Sequence, residues 1–136
     1  MFQKEVQLSY GEGRYKIYIS AIITGDGISL TVTGGEKPHV GGMALAVPRT
    51  GGWHNKTACD IWITPRYGHR DSEVADMVAR MLCLDTGQTV AVVAGIHIDQ
   101  ADSREIGTLI DNSRQATLLL NAKIKEIMEK DYAQES

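Results

Sequence analysis

Thiols are scarce: Cys59 and Cys83 are the two cysteines in 136 residues, and they are too far apart to form a CxxC pair. A disulfide framework and a paired-cysteine metal site are therefore not expected, and the thiols read as reduced. Lysine and arginine never form a run, and the formal charge is −3. The electrostatic footprint that nucleic acid or anionic lipid requires is missing. The N-terminal stretch MFQKEVQLSY has no apolar signal-peptide core, so a cytoplasmic chain with no membrane association is expected. GxxxxGK[ST], GxGxxG, HExxH and GxSxG are all absent, which removes the familiar phosphate loops, the helix-borne zinc proteases and the nucleophile-elbow hydrolases. There is no repeat of 20 to 50 residues, no low-complexity tract and no interdomain linker. The four histidines, at 39, 54, 69 and 97, lack ligand spacing, so only the fold could unite them and no metal site is expected.

What is present is the balance of a globular domain, with 43% apolar and 23% charged residues. One domain spanning residues 1–136 can bury roughly two thirds of its unfolded surface around a single core. Val6, Leu8 and Tyr10, then Tyr15, Ile17 and Ile19, then Ile28, Leu30 and Val32 alternate in steps of two, the period of strands. GEG at 11–13 and GDG at 25–27 supply the tight links between them. MALAVP at 43–48 and CDIWITP at 59–65 add two more strands, each ended by a proline, with RTGGWHNKTA as the loop between them. The expected pattern is an antiparallel meander of five strands. The period then changes. Val74, Val78, Met81 and Leu82 fall on one helical face, with Asp71 as N-cap, Glu73 in the first turn and Gly87 at the end. TVAVVAGI at 89–96 is apolar at nearly every position and reads as a central strand covered on both faces. DSRE at 102–105 resembles a capping box opening a second helix, which DNSR at 111–114 could bend or break. The expected class is α+β, a mainly antiparallel sheet of about six strands with two helices packed on one face. Cys59 and Cys83 occupy apolar positions suited to small core residues.

Three loops carry candidate chemistry. In GIHIDQADS, strand alternation places His97 and Asp99 on one face, a pair able to orient each other for acid–base work, to hold a polar ligand group, or merely to satisfy backbone groups at the end of a strand. TPRYGHRD at 64–71 joins a strand to a helix N-terminus, an anion-attracting position to which Arg66, His69 and Arg70 add donors. Asp71 at the capping position opposes an anion there. In GGEKPHVGGMALAVP, Gly41 and Gly42 allow a ligand or another backbone to come close, or mark a bulge, and His39 follows Pro38 in an extended link. Trp53 and Trp62 could stack on a flat ligand, or serve in the loop and core.

The segments PHVGGMALAVP, GHRDSEVADMVARML and VAVVAGIHIDQADSREI resemble, in order and spacing, the bacterial prenylated flavin chaperone or LpdD-like proteins. These are encoded with hydroxyaryl acid decarboxylases of the gallate type, and they are similar in turn to the third and fourth proteasome assembly chaperones. The resemblance spans about residues 34–110. It leads one to expect alanine at position 42, where this chain has Gly42, and no family motif matches RTGGWHNKTA. It implies a non-catalytic role: binding prenylated FMN and helping to load a partner decarboxylase subunit. The air-sensitive reduced flavin would gain from such shielding. On that implication the cofactor-binding residues are His39, Gly41, Gly42, His69, Arg70, Asp71, His97 and Asp99, with His69 and Arg70 meeting the phosphate and His97 with Asp99 meeting polar ring atoms. A homodimer is expected, because one sheet face is left to be covered and Tyr18, Ile22 and Trp62 suggest that it is not fully polar. Two other functions stay open: a cofactor-free assembly factor for a decarboxylase or other complex, and a small hydrolase or isomerase using His97 and Asp99.

Overall fold

The computed structural model describes residues 3–49 and 58–135, so Trp53, His54 and most of the RTGGWHNKTA loop lie outside the described residues. Six strands and two long helices follow in order: β1 (Gln3–Tyr10), β2 (Ile17–Thr24), β3 (Gly27–Gly35), β4 (Gly42–Arg49), β5 (Ala58–Pro65), α1 (Asp71–Thr86), β6 (Val90–His97) and α2 (Ser103–Glu135). The α+β class is as the sequence implies. No described helix is long and apolar enough to cross a membrane.

The strand order β1-β2-β3-β6-β4-β5 corrects the five-strand meander. β1, β2 and β3 form an antiparallel meander and β4 with β5 a hairpin, but β6 is inserted between β3 and β4. It runs parallel to β3, from Ile28 opposite Val90 to Gly35 opposite His97, and antiparallel to β4. The sheet is therefore mixed. Near-continuous apolarity suits this central position, yet only one side of β6 is closed. Val90, Val92 and Ala94 are fully buried, whereas Ala91 and Val93 on the other side are half-buried. The expectation of cover on both faces is corrected accordingly.

α1 packs on β4, β5 and β6, α2 on β1 and β2, and the two helices touch each other on the same sheet face. Ile17, Ile19 and Ile23 of β2 meet a helical layer that includes Val78, Leu82, Leu120 and Ile124. Each such side chain contributes about 1.5–3 kcal/mol when taken out of water. The buried stripe of α1 runs through Ala75, Val78, Ala79, Leu82 and Cys83, leaving Val74 and Met81 half-buried at its flanks. Cys83 is buried and Cys59 half-buried.

Helix ends follow the sequence in part. Asp102 accepts the Glu105 N–H at 2.8 Å while Glu105 accepts the Asp102 N–H at 3.3 Å, a reciprocal capping box. Gly87 closes α1 in the left-handed region, its N–H bonded to the Cys83 carbonyl. Asp71, however, is not the N-cap; that position belongs to Arg70, and Asp71 is the first residue inside the helix. DNSR does not break α2, because its polar side chains have partners compatible with helix. Ser113 donates to the Leu109 carbonyl at 2.8 Å, and Asn112 reaches the Tyr15 carbonyl at 2.9 Å.

Candidate functional site

Since β3 and β4 flank β6, the link 36–41 must pass over the carboxyl end of β6. The crossing happens at Gly95, where the His39 carbonyl fills the space that a Cβ would take. The Gly41 N–H donates to the Ala94 carbonyl at 2.9 Å, and the Glu36 and Lys37 N–H groups both donate to the His97 carbonyl. Such contacts satisfy the end of β6 without another strand.

The crossing aims His39 at the start of α1. Its Nδ1 lies 2.9 Å from the Lys37 carbonyl, and its Nε2 lies 2.9 Å from Asp71 Oδ2 and 3.2 Å from His69 Nδ1. Asp71 reaches back from α1 to the sheet, its Oδ1 accepting the Ile96 N–H at 2.9 Å. Turned this way, the carboxylate is engaged by protein groups instead of capping the helix. His97 sits edge-on to His39 with ring centroids 6.3 Å apart, and its Nε2 is 3.0 Å from Asp99 Oδ1. The Lys37 ammonium, 3.0 Å from Asp99, holds that carboxyl below its ordinary range, and the His97 hydrogen bond adds to the effect.

Beside these groups opens a cleft of about 590 Å³, with His39, His69, Arg70, Asp71, Glu73 and His97 on its polar side and Val74, Met77 and Leu109 among its apolar lining. The starts of both helices border it, through the cap residue Arg70 and Asp71 of α1 and through Ile106 of α2. Helix N-termini favour negative charge. A cleft of this size, mostly apolar with a few convergent polar groups, has the form of a small-molecule site. His39, His69 and Asp71 also place one ligand atom each within 4.8 Å of one another, close enough to share a metal ion.

Of the residues expected from sequence, His39, His69, Arg70, Asp71 and His97 line one cleft, and Asp99 joins through His97. Gly41 and Gly42 serve approaches within the protein. A Cβ on Gly41 would strike the Asp71 carboxylate and His39 Nε2, and one on Gly42 would lie 2.6 Å from the Ser72 backbone nitrogen. Alanine at 42 would require α1 to shift. Arg66 points elsewhere, donating to the Val40 carbonyl at 2.9 Å, and Trp62 is exposed on the uncovered sheet face. Sequence reasoning missed Lys37, Gly95 and Gln100, the last held at a φ of 56° on the cleft wall. A glycine inside an apolar strand is the one signal that marked Gly95.

The sequence matches the family model of the prenylated flavin chaperone LpdD-like domain over residues 11–125. The chain belongs to this family. No curated protein matches it. Among solved structures, a chain from a crystal structure of a novel chaperone complex for yeast 20S proteasome assembly is similar, with a TM-score of 0.63. It is 14% identical, and the alignment covers 91% of this chain and 99% of that one, which shows a shared fold. The LpdD-like chaperone fold is thus also a fold of proteasome assembly chaperones, and the cleft lies within the span that the family model matches.

Proposed function

We propose that this chain is a non-catalytic carrier that binds prenylated FMN in the cleft and helps to load it into a partner decarboxylase, an aromatic acid enzyme of the gallate type. The observation that carries the reading is the cleft's division into an apolar side, from Val74, Met77 and Leu109, and a polar rim, from His39, His69, Arg70 and His97 with Asp71 and Glu73. A prenylated flavin has the matching division: an apolar ring system extended by the prenyl group, and a phosphate. The phosphate belongs at His69 and Arg70, where the α1 N-terminus adds its positive end, and His97 with Asp99 takes polar ring atoms. Asp71 turns from the helix end toward the sheet, where its Oδ1 accepts the Ile96 N–H. Once delivered, the flavin supplies the electron-accepting ring for decarboxylation; on the carrier it is cargo.

Among the described residues neither cysteine lines the cleft, and Asp99 is tied to Lys37, so no side-chain nucleophile there stands beside the His97–Asp99 pair. Apo-decarboxylase given reduced prenylated FMN should reach a several-fold higher holo yield when the purified chain is added. An unchanged yield would sink the loading role.

A second reading, a cofactor-free assembly factor, is favoured by the uncovered sheet face, where Tyr18, Ile22, Met43, Leu45 and Trp62 are exposed. Pull-down of the partner followed by flavin analysis separates the two: flavin in the captured complex supports the carrier. The same face suits a homodimer in the cytoplasm, which sedimentation at micromolar concentration reads directly; a monomer there removes it.

A further inference from the structure

The His39, His69 and Asp71 cluster has a property that a pocket for an organic ligand does not need. A carbonyl oxygen only accepts hydrogen bonds, so the 2.9 Å contact with the Lys37 carbonyl puts a proton on His39 Nδ1. In the neutral ring Nε2 is then a bare lone pair, and it faces a carboxylate oxygen at 2.9 Å and a second imidazole nitrogen at 3.2 Å. Three acceptor atoms cannot meet so closely with nothing between them, so either a hydrogen on one of the facing ring nitrogens or a metal ion must lie among them. Two candidates exist, a shared proton and a metal ion.

We propose that His39 Nε2, His69 Nδ1 and Asp71 Oδ2 bind one divalent first-row transition-metal ion. Donors about 2.1 Å from an ion and about 90–109° apart are separated by about 2.9–3.4 Å. Two of the three separations here, 2.9 and 3.2 Å, fall in that range, and the third, 3.6 Å between His69 and Asp71, needs only a small closing movement. The outer hydrogen bonds are those of a prepared site. His39 Nδ1 is held by a backbone carbonyl, which aims Nε2, and Asp71 Oδ1 is held by the Ile96 N–H, which leaves Oδ2 to the ion. Gly41 keeps the space clear, since a Cβ there would collide with both Asp71 and His39. Two imidazoles and one carboxylate suit Zn²⁺, Fe²⁺, Co²⁺ or Ni²⁺, whereas Mg²⁺ and Ca²⁺ prefer all-oxygen sites. The remaining coordination positions face the cleft and accept water or an anionic oxygen.

The test is a titration of the chelator-treated full chain with Co²⁺ alone, anaerobically and without flavin, followed by visible d–d absorption and by melting temperature. The expected result is saturation at one Co²⁺ per chain, a raised melting temperature and displacement of the colour by Zn²⁺. His69→Ala, at a half-buried position, should weaken Co²⁺ binding by more than about tenfold while the metal-free melting temperature stays near wild type. His39→Gln is the second variant and should lose the colour as well. No saturable binding, a stoichiometry other than one, or wild-type affinity in both variants overturns the metal site and leaves a shared proton in its place. Because flavin is absent, failure here leaves the carrier reading standing, and a flavin titration that fails leaves the metal site standing.

Discussion

At Gly95 a single hydrogen atom decides whether the 36–41 link can cross β6. Replacing it by a methyl group puts carbon where the His39 carbonyl lies, against backbone that cannot yield without moving the link. Gly95→Ala should therefore lose about 2–3 kcal/mol of stability, the scale of overpacking in a closed site. Urea unfolding measures this, and a wild-type midpoint would contradict the crossing. His39, His69 and Asp71 owe their meeting to the same crossing, which is why their spacing in the chain carried no signal. His39 and His69 stand thirty positions apart, and the short His69–Asp71 spacing becomes a three-donor cluster only when the crossing brings His39 to it. The paired glycines at 41 and 42 did announce a close approach, though not what approaches. The first turn of α1 fills that role, because Asp71 turns back to the sheet when Arg70 takes the cap position.

Elements were legible where local chemistry decides them. The DSRE box, Gly87 and the period-two strands stand where their sequence signals put them, except that Tyr15 belongs to a 3-10 turn, Gly13–Tyr15, ahead of β2. The place of β6 was not legible, since insertion between β3 and β4 rests on pairings distant in sequence that its own apolar run does not encode. The packing of α1 against β5 can be read through the two cysteines. Burial pushes the Cys83 thiol from 9.0 up to about 11, and the neighbouring Cys59 adds to the rise. Iodoacetamide at pH 8 should therefore modify half-buried Cys59 first and leave Cys83 until the chain unfolds, as mass spectrometry of a time course would record. Equal native rates would contradict this packing. The sign of the accompanying pH effect follows from the raised value. Below pH 9 both folded and unfolded thiols are neutral and the stability is intact; as pH rises toward 11 the unfolded thiol ionises first and stability falls.

At the scale of the whole molecule, two helices close one face of a mixed sheet, and a cleft opens at one end where β3, β5 and β6 finish and β4, α1 and α2 begin. The fold is one shared with a proteasome assembly chaperone, so architecture alone does not choose between holding a protein and holding a cofactor. Family membership and the composition of the cleft favour the flavin. The central claim is that this cleft is where prenylated FMN binds. Its most direct test is an anaerobic titration of the full chain with reduced prenylated FMN, followed by flavin absorbance, for the wild type and for Met77→Trp, which fills the apolar side. The account predicts saturation at one flavin per chain with a Kd of about 1 μM or tighter, a binding free energy of about −8 kcal/mol, and at least about tenfold weaker binding in the folded variant. No saturation in the wild type, or equal affinity in Met77→Trp, would contradict it.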